Sequence, residues 1–371
     1  MKIFNSIKNT GKFFRSLKRT DVKVLKYLFF ISLTIITLYG CKKEDDTDNK
    51  PVYDHSLIIS RGSGAKIVLT NPVDGKDLYM SIPSPAVDDV KSLKAGYMCK
   101  KAVFIAKTSL KDYTMSIYTC DAKTGANTKA ITGDDLYVQH LGSSPVAAEI
   151  AFTAKLTDVS EYFQLYTINE DGGGQAHISQ PLEQVSGLDN KEYELLDTKY
   201  PAYSPDGLKI AFNADVDNLY SVPNSIFYGG IMVMNKDGSN KEFLYWENGK
   251  DISISDICWT HDGNFLLFVI LDNDNNFHRR VKALNIAGNK VTDLTSALEI
   301  NGVQVYDIST SPNSDRIVFN QHLGGGSDLF IAEYEIHDDV LTIKGSPVRL
   351  SNRESTGYSY YTPSWQLWDE N

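Results

Sequence analysis

Short apolar runs return along this chain at a steady interval. KAVF, EIAF, KIAF, FLLF and RIVF end at Phe104, Phe152, Phe212, Phe268 and Phe319, roughly 50 residues apart. Each is followed by a polar loop, a second short apolar run, a Gly-containing turn and a third run. The runs are short and continuously apolar, as strands rather than helices are. Several short strands per unit, repeated at this period, predict an all-β propeller.

The unit is clearest from Tyr200 to Trp246. YPAYS predicts a first strand. Pro205-Asp206-Gly207 predicts a tight turn, with Pro fixing φ and Gly accepting left-handed geometry. LKIAF is a second strand with Ile210 and Phe212 on one face, IMVMN a third, and Lys236-Asp237-Gly238 turns into KEFLYW, a fourth. This four-stranded meander resembles the WD40-like PD40 repeat of the TolB family, which reads roughly P-x-[WY]-S-P-D-G-x-x-I-A-F, then an apolar strand and a D-G turn. The other copies are more worn: ICWTHDGNFLLF, ISTSPNSDRIVF, SSPVAAEIAF and KAVF with SIYTCDAKTG. The resemblance covers about residues 55–366 and implies a propeller. TolB-family proteins add an N-terminal α/β domain, which does not match here, so involvement in the Tol machinery is not carried over with the fold.

The ends of the repeat region predict how the ring closes. Residues 57–82 read as strands two to four of a unit without its first strand, and Tyr361-Thr362-Pro363-Ser364-Trp365 reads as a first strand without the rest. Pairing them gives six blades and removes two exposed edges. A linear solenoid, the alternative, needs capping units.

Residues 1–40 carry a basic stretch from Lys2 to Lys26, then the apolar run YLFFISLTIITLYG. The run is short for a membrane span of about 20 residues, and its flanks are those of a secretory signal. Leu38-Tyr39-Gly40-Cys41 resembles a bacterial lipoprotein cleavage box, which implies a lipid on Cys41 and anchoring in the outer membrane. An uncleaved anchor with an incidental cysteine is the alternative. KKEDDTDNK then reads as a solvated tether over residues 41–54, and it resembles the acidic surface-export tag of Bacteroidetes lipoproteins. The expected organisation is signal (1–40), tether (41–54) and propeller (55–371).

The whole chain holds 37 Lys+Arg against 47 Asp+Glu; residues 1–40 account for eight of the bases and one acid, leaving 29 against 46, a balance of −17. That argues against nucleic acid, which needs a basic footprint. Cys99, Cys120 and Cys258 have no metal-ligand spacing and read as buried thiols. Cys99 and Cys120 are expected on the first and third strands of one blade.

A meander puts the first–second and third–fourth turns on one face of the disc and the remaining loops on the other. The first set is short (PDG, HDG, PNS, KDG, KTG). The second is long: 156–163, 215–228, 272–279 and 321–327, with connectors at 182–199 and 351–358. Long loops on a rigid scaffold carry binding residues, so the long-loop mouth of the central channel is the candidate site. Tyr200, Asp256, Tyr306, Asp307, Tyr360 and Tyr361 begin innermost strands there, with Tyr220, Phe227, His278, Arg279 and Arg353 on nearby loops.

Catalytic motifs are missing: no G-x-S-x-G, H-E-x-x-H or G-x-x-x-x-G-K occurs. Asp272-Asn273-Asp274-Asn275-Asn276 suggests a calcium loop, but Phe277 and Ala283 stand where Gly and Glu are required. No metal or cofactor is expected. Related propellers cover the active site of prolyl oligopeptidases or, as metal-dependent lyases, cut oligogalacturonate. The expected function is a non-catalytic protein- or glycan-binding module of the cell envelope. The alternatives are a polysaccharide lyase or hydrolase acting at the channel mouth, and a scaffold subunit of an envelope complex.

Overall fold

Phe104, Phe152, Phe212, Phe268 and Phe319 are all fully buried, each on the second strand counted from the channel in its sheet. The computed structural model of the chain describes residues 56–62, 66–84, 90–107, 114–156, 160–180, 182–218, 228–247, 252–272, 278–322, 326–351 and 359–368. The signal, Cys41, the tether, Tyr220, Phe227, residues 273–277 and Arg353 lie outside them.

Among the described residues, twenty-five strands form six antiparallel sheets. Blade one holds β1 (Ser56–Gly62), β2 (Lys66–Thr70) and β3 (Asp77–Ser81). Blade two holds β4 (Leu93–Ala95), β5 (Lys101–Lys107), β6 (Met115–Asp121) and β7 (Lys129–Ala130). Blade three holds β8 (Leu136–Ser143), β9 (Glu149–Leu156), β10 (Gln164–Asn169) and β11 (Ala176–His177). Blade four holds β12 (Glu183–Ser186), β13 (Glu192–Tyr203), β14 (Lys209–Asn218), β15 (Tyr228–Asn235) and β16 (Glu242–Glu247). Blade five holds β17 (Ile252–Trp259), β18 (Phe265–Asp272), β19 (His278–Asn285) and β20 (Lys290–Asp293), and a short helix α1 (Thr295–Leu298) leads onward. Blade six holds β21 (Val305–Thr310), β22 (Arg316–His322), β23 (Ser327–His337) and β24 (Val340–Arg349). The last strand, β25 (Tyr360–Leu367), returns to blade one.

The ring closes as expected. β25 pairs with β1, bringing Ile58 opposite Trp365 and Gly62 opposite Tyr360. The innermost strands then touch in sequence around the axis: β25, β4, β8, β13, β17, β21 and back to β25. Apolar side chains fill the spaces between blades. One layer joins Phe265, Leu267 and Val281 of blade five to Ile317, Phe319 and Phe330 of blade six. Another joins Ile58 and Val68 of blade one to Val318 and Leu329 of blade six.

The turn chemistry repeats with the sequence motif. Ser204 Oγ donates to Asp206 Oδ1 at 2.5 Å, Asp206 Oδ1 accepts from the Leu208 N–H, and Ser204 Oγ accepts from the Lys209 N–H. Thr260, Asp262, Asn264 and Phe265 make the same bonds in blade five. Gly207 and Gly263 take φ of +68° and +74°, which the turn requires and glycine accepts without strain.

Two expectations need correction. Residues 182–199 are not a plain connector: they hold β12 and the first half of β13, so blade four has five strands. The aromatic pair Tyr193 and Trp246 packs there, with ring centroids 4.9 Å apart. A Cβ at Gly187 would lie 2.5 Å from the Tyr193 ring. Cys99 is not on a first strand either. It ends the 3₁₀ turn Tyr97–Cys99 between β4 and β5. Cys99, Cys120 and Cys258 are free thiols.

Candidate functional site

The six innermost strands enclose a channel with a cavity at each end. The long-loop cavity has a volume of about 220 Å³ and takes at least one lining residue from every blade. Lys94 comes from blade two, His140 from three, Tyr200 from four, Asp256 from five, Asp307 from six and Thr362 from one.

A shared irregularity aims these side chains. β8, β13, β17, β21 and the β25–β1 pair each shift register at this level of the channel. A bulge puts an extra residue into one strand and redirects its side chain. Four bulged residues adopt left-handed backbone: Tyr200 (φ 51°), Asp256 (φ 51°), Asp307 (φ 38°) and Thr362 (φ 47°). Asp tolerates that region, whereas Tyr and β-branched Thr are held there at a cost of about 1 kcal/mol or more each.

The electrostatics follow from the crowding. Burial, and then the charge of Asp307, push the Asp256 carboxyl up to about 6. Its Oδ2 accepts from Ser255 Oγ at 2.9 Å. Asp307 Oδ2 accepts from Asn320 Nδ2 and from the Thr362 N–H, both at 3.2 Å. Burial, and then the charges of Lys199 and Lys94, lower His140 to about 3, so its ring is neutral at pH 7. His140 Nδ1 lies 3.1 Å from Thr153 Oγ1, and its ring sits 3.9 Å from that of Tyr200. Burial raises the Tyr200 phenol, with Asp256 and Asp307 adding to the effect. Lys199 is bound to Asp215 at 2.5 Å and lies 3.7 Å from Asp197.

An aromatic strip crosses blades five, six and one on the same side. The Arg279 guanidinium lies 4.4 Å from the Tyr306 ring centre. Tyr306 meets His322 edge-on at 5.2 Å, and His322 lies 6.1 Å from Tyr361.

Of the residues expected at the mouth, Tyr200, Asp256 and Asp307 line the cavity, and Tyr306, Tyr361 and Arg279 form the strip. Tyr360 is placed elsewhere. It is 1% exposed, packs between blades one and six, and donates to Asp77 Oδ2 at 2.8 Å. Consecutive strand residues point to opposite faces, so Tyr361 and Tyr360 could not both face the mouth. His278 lies off the cavity, with Nε2 3.7 Å from Glu299. Lys94, His140, His322 and Thr362 were not anticipated. The first three belong to worn repeats or strand ends, and the bulges that aim Thr362 have no local signature.

The opposite cavity, about 200 Å³, is lined by Pro145, Val146, Pro205, Trp259, Pro312 and Trp365 among others. Several of its polar groups bond blade to blade, while the buried Ser143 Oγ has no hydrogen-bond partner. Trp259 Nε1 donates to the Ala202 carbonyl at 3.0 Å, the Trp365 N–H to Ser309 Oγ at 3.1 Å, and the Ala95 N–H to Ser364 Oγ at 3.2 Å. Tyr203 Oη donates to Glu149 Oε1 at 2.7 Å. Among the described residues, no group of three or more His, Cys, Asp or Glu could hold a metal ion, and no helix is long and apolar enough to cross a membrane.

No protein-family model matches the chain, and no curated protein matches it in sequence. Solved structures do. TolB from Acinetobacter baumannii superposes with a TM-score of 0.52 at 16% identity, over 84% of this chain and 67% of that one. A protein described as TolB from Agrobacterium tumefaciens gives 0.51 at 12%, over 85% and 99%. Hydrazine synthase from Kuenenia stuttgartiensis gives 0.57 at 14%, over 85% and 48%. The fold is that of the TolB-like six-bladed propellers.

Proposed function

We propose that this chain is a lipid-anchored binding module of a bacterial cell envelope, with its ligand, a protein or a glycan, held at the long-loop mouth of the propeller. The observation that carries the reading is convergence. Every blade sends at least one residue into one cavity, four of them from left-handed backbone, and a cation–aromatic strip runs beside it. Strain held in this way on a rigid scaffold is characteristic of sites that engage ligands. The anchor rests on the sequence around Cys41.

Two experiments with the full-length chain test the two halves. Cys41→Ser should move the protein from the membrane fraction of its cells to the soluble fraction; unchanged sedimentation refutes the lipid. A screen of envelope proteins and glycans should give hits that Tyr306→Ala and His322→Ala abolish; hits indifferent to both place the ligand elsewhere.

A second reading, an envelope polysaccharide lyase or hydrolase, is favoured by one feature. Asp256, with its carboxyl near 6, stands in this cavity, a value that suits acid–base work near neutrality. Turnover of a glycan panel that is lost in Asp256→Asn would establish it.

A further inference from the structure

One register level of the channel is filled alike in five blades and differently in blade two. Gly142 pairs there with Ala151, Ala202 with Ala211, Cys258 with Leu267, Ser309 with Val318 and Ser364 with Ile59. In blade two the residue at that level is Lys94, paired with Val103. All six line the short-turn cavity. Five small residues leave room around the axis, and one long cation stands among them. Lys94 makes no side-chain hydrogen bond or ion pair among the described residues.

The serines of this cavity have protons to give. Ser309 Oγ accepts from the Trp365 N–H at 3.1 Å, and Ser364 Oγ from the Ala95 N–H at 3.2 Å. Among the described residues neither donates in turn, and the buried Ser143 Oγ has no partner. A hydroxyl carries one donor proton beside its lone pairs, so blades three, six and one each offer a donor on the side of Lys94. No carboxylate among the described residues lines the cavity. Those behind its wall are engaged. Glu149 accepts from Tyr203, Asp206 and Asp262 bond within their own turns, and Asp315 lies 3.6 Å from His261. Lys94 also lines the long-loop cavity, where its charge acts on Asp256, so one cation serves both ends. The −17 balance of the chain beyond residue 40 is spread over the whole surface and is screened beyond about 10 Å.

The rest of the lining is apolar, with Trp259, Trp365, Pro145, Val146, Pro205 and Pro312. We propose that the short-turn cavity is a second site, distinct from the long-loop mouth, for a small monocarboxylate with an apolar body. Its carboxylate meets Lys94 and the serine hydroxyls, and its body lies against Trp259 and Trp365. Charge-assisted hydrogen bonds of this kind are stronger than neutral ones. At about 200 Å³ the cavity is smaller than those that enclose drug-sized ligands, which limits the body to about one amino-acid side chain. A free small acid and the C-terminal residue of a peptide share this chemistry.

The test uses the full-length protein in detergent, titrated by calorimetry and tryptophan fluorescence. The probes are phenylacetate, its neutral analogue phenylacetamide, phenethylamine, inorganic phosphate and N-acetyl-Gly-Gly-Phe with a free C-terminus. Phenylacetate should bind about tenfold or more tighter than phenylacetamide, and tighter than phenethylamine or phosphate. Lys94→Met should weaken phenylacetate about tenfold or more. Ser143→Ala should weaken it about threefold or more with no fall in Tm, because that hydroxyl bonds nothing in the free protein. A residue with only a structural role would not separate the two readouts, and this variant decides the matter if Lys94→Met fails to fold. Amide, amine or phosphate binding as tight as phenylacetate overturns the proposal, as does no binding of any probe. Binding lost in Lys94→Met but unchanged in Ser143→Ala and Ser309→Ala also overturns it, since those serines line only the short-turn cavity. Where phenylacetate binds as expected, tighter binding of the peptide identifies a chain end as the source, and its exclusion a free acid.

Discussion

The two ends of the channel are built from the same six strands and enclose nearly equal spaces, about 220 and 200 Å³, yet they differ in the residues they gather. At the short-turn end Trp259, Trp365 and a set of prolines enter the lining, and several polar groups bond to neighbouring blades. At the long-loop end the lining includes two Lys, a His, a Tyr and two Asp, and the backbone is left-handed in four places. One end holds the ring shut. The other gathers charged side chains from blades two, five and six beside strained backbone. A propeller can keep such a strained end because the opposite end and the layers between blades over-determine the structure.

The largest expected effect lies at the closed end. Trp365 is 5% exposed and sits on the strand that completes blade one. Trp365→Ala should cost about 3–5 kcal/mol, read as a lower denaturant midpoint, with the chain still folded at low denaturant. A loss below about 1 kcal/mol would mean that closure does not depend on this packing.

The next effect is a pH dependence from the open end. The folded Asp256 carboxyl stands near 6, against about 3.9 unfolded. Between those values the folded state holds more protons, so stability falls as pH rises through that window. His140 has the reverse sign. Its folded value is about 3 against about 6.5 unfolded, so its contribution is present above 6.5 and is lost on acidification. In the wild type the two slopes oppose each other between about pH 4 and 6. Asp256→Asn should therefore be more stable than wild type at pH 7, by about 1–2 kcal/mol, and should lose stability more steeply toward pH 4. Urea midpoints across that range check both signs. Parallel curves for the two proteins would show that Asp256 is not held in the repulsive setting described.

The smallest effect is expected at the rim. Tyr306→Ala at the half-buried strip should change stability by no more than about 1 kcal/mol while removing ligand binding. A loss as large as that of Trp365→Ala would make the two ends alike and erase the distinction between them.

Much of the architecture is written locally. Short apolar runs repeated about every 50 residues, an S-P-D-G turn whose side chains tie their own backbone, and a first strand missing at one end of the chain but present at the other are enough for six blades and their closure. Each depends only on residues near one another in sequence, or on complementary strand pieces. The extra strand β12 escaped notice because Glu183–Ser186 is polar at three of four positions and takes its place by pairing with β13.

The site is a different matter. Asp256 and Asp307 could be placed near the channel from their position in the repeat, and Tyr361 likewise at the rim. Which way a neighbour such as Tyr360 points was decided by strand alternation around a bulge, and the same alternation buried it against Asp77. Lys94, His140 and Thr362 lie in separate blades and meet at one cavity only because the ring closes. Convergence across such separations depends on closure and on backbone irregularities with no local pattern, so the folded chain, and not its pattern of residues, sets the chemistry of the mouth.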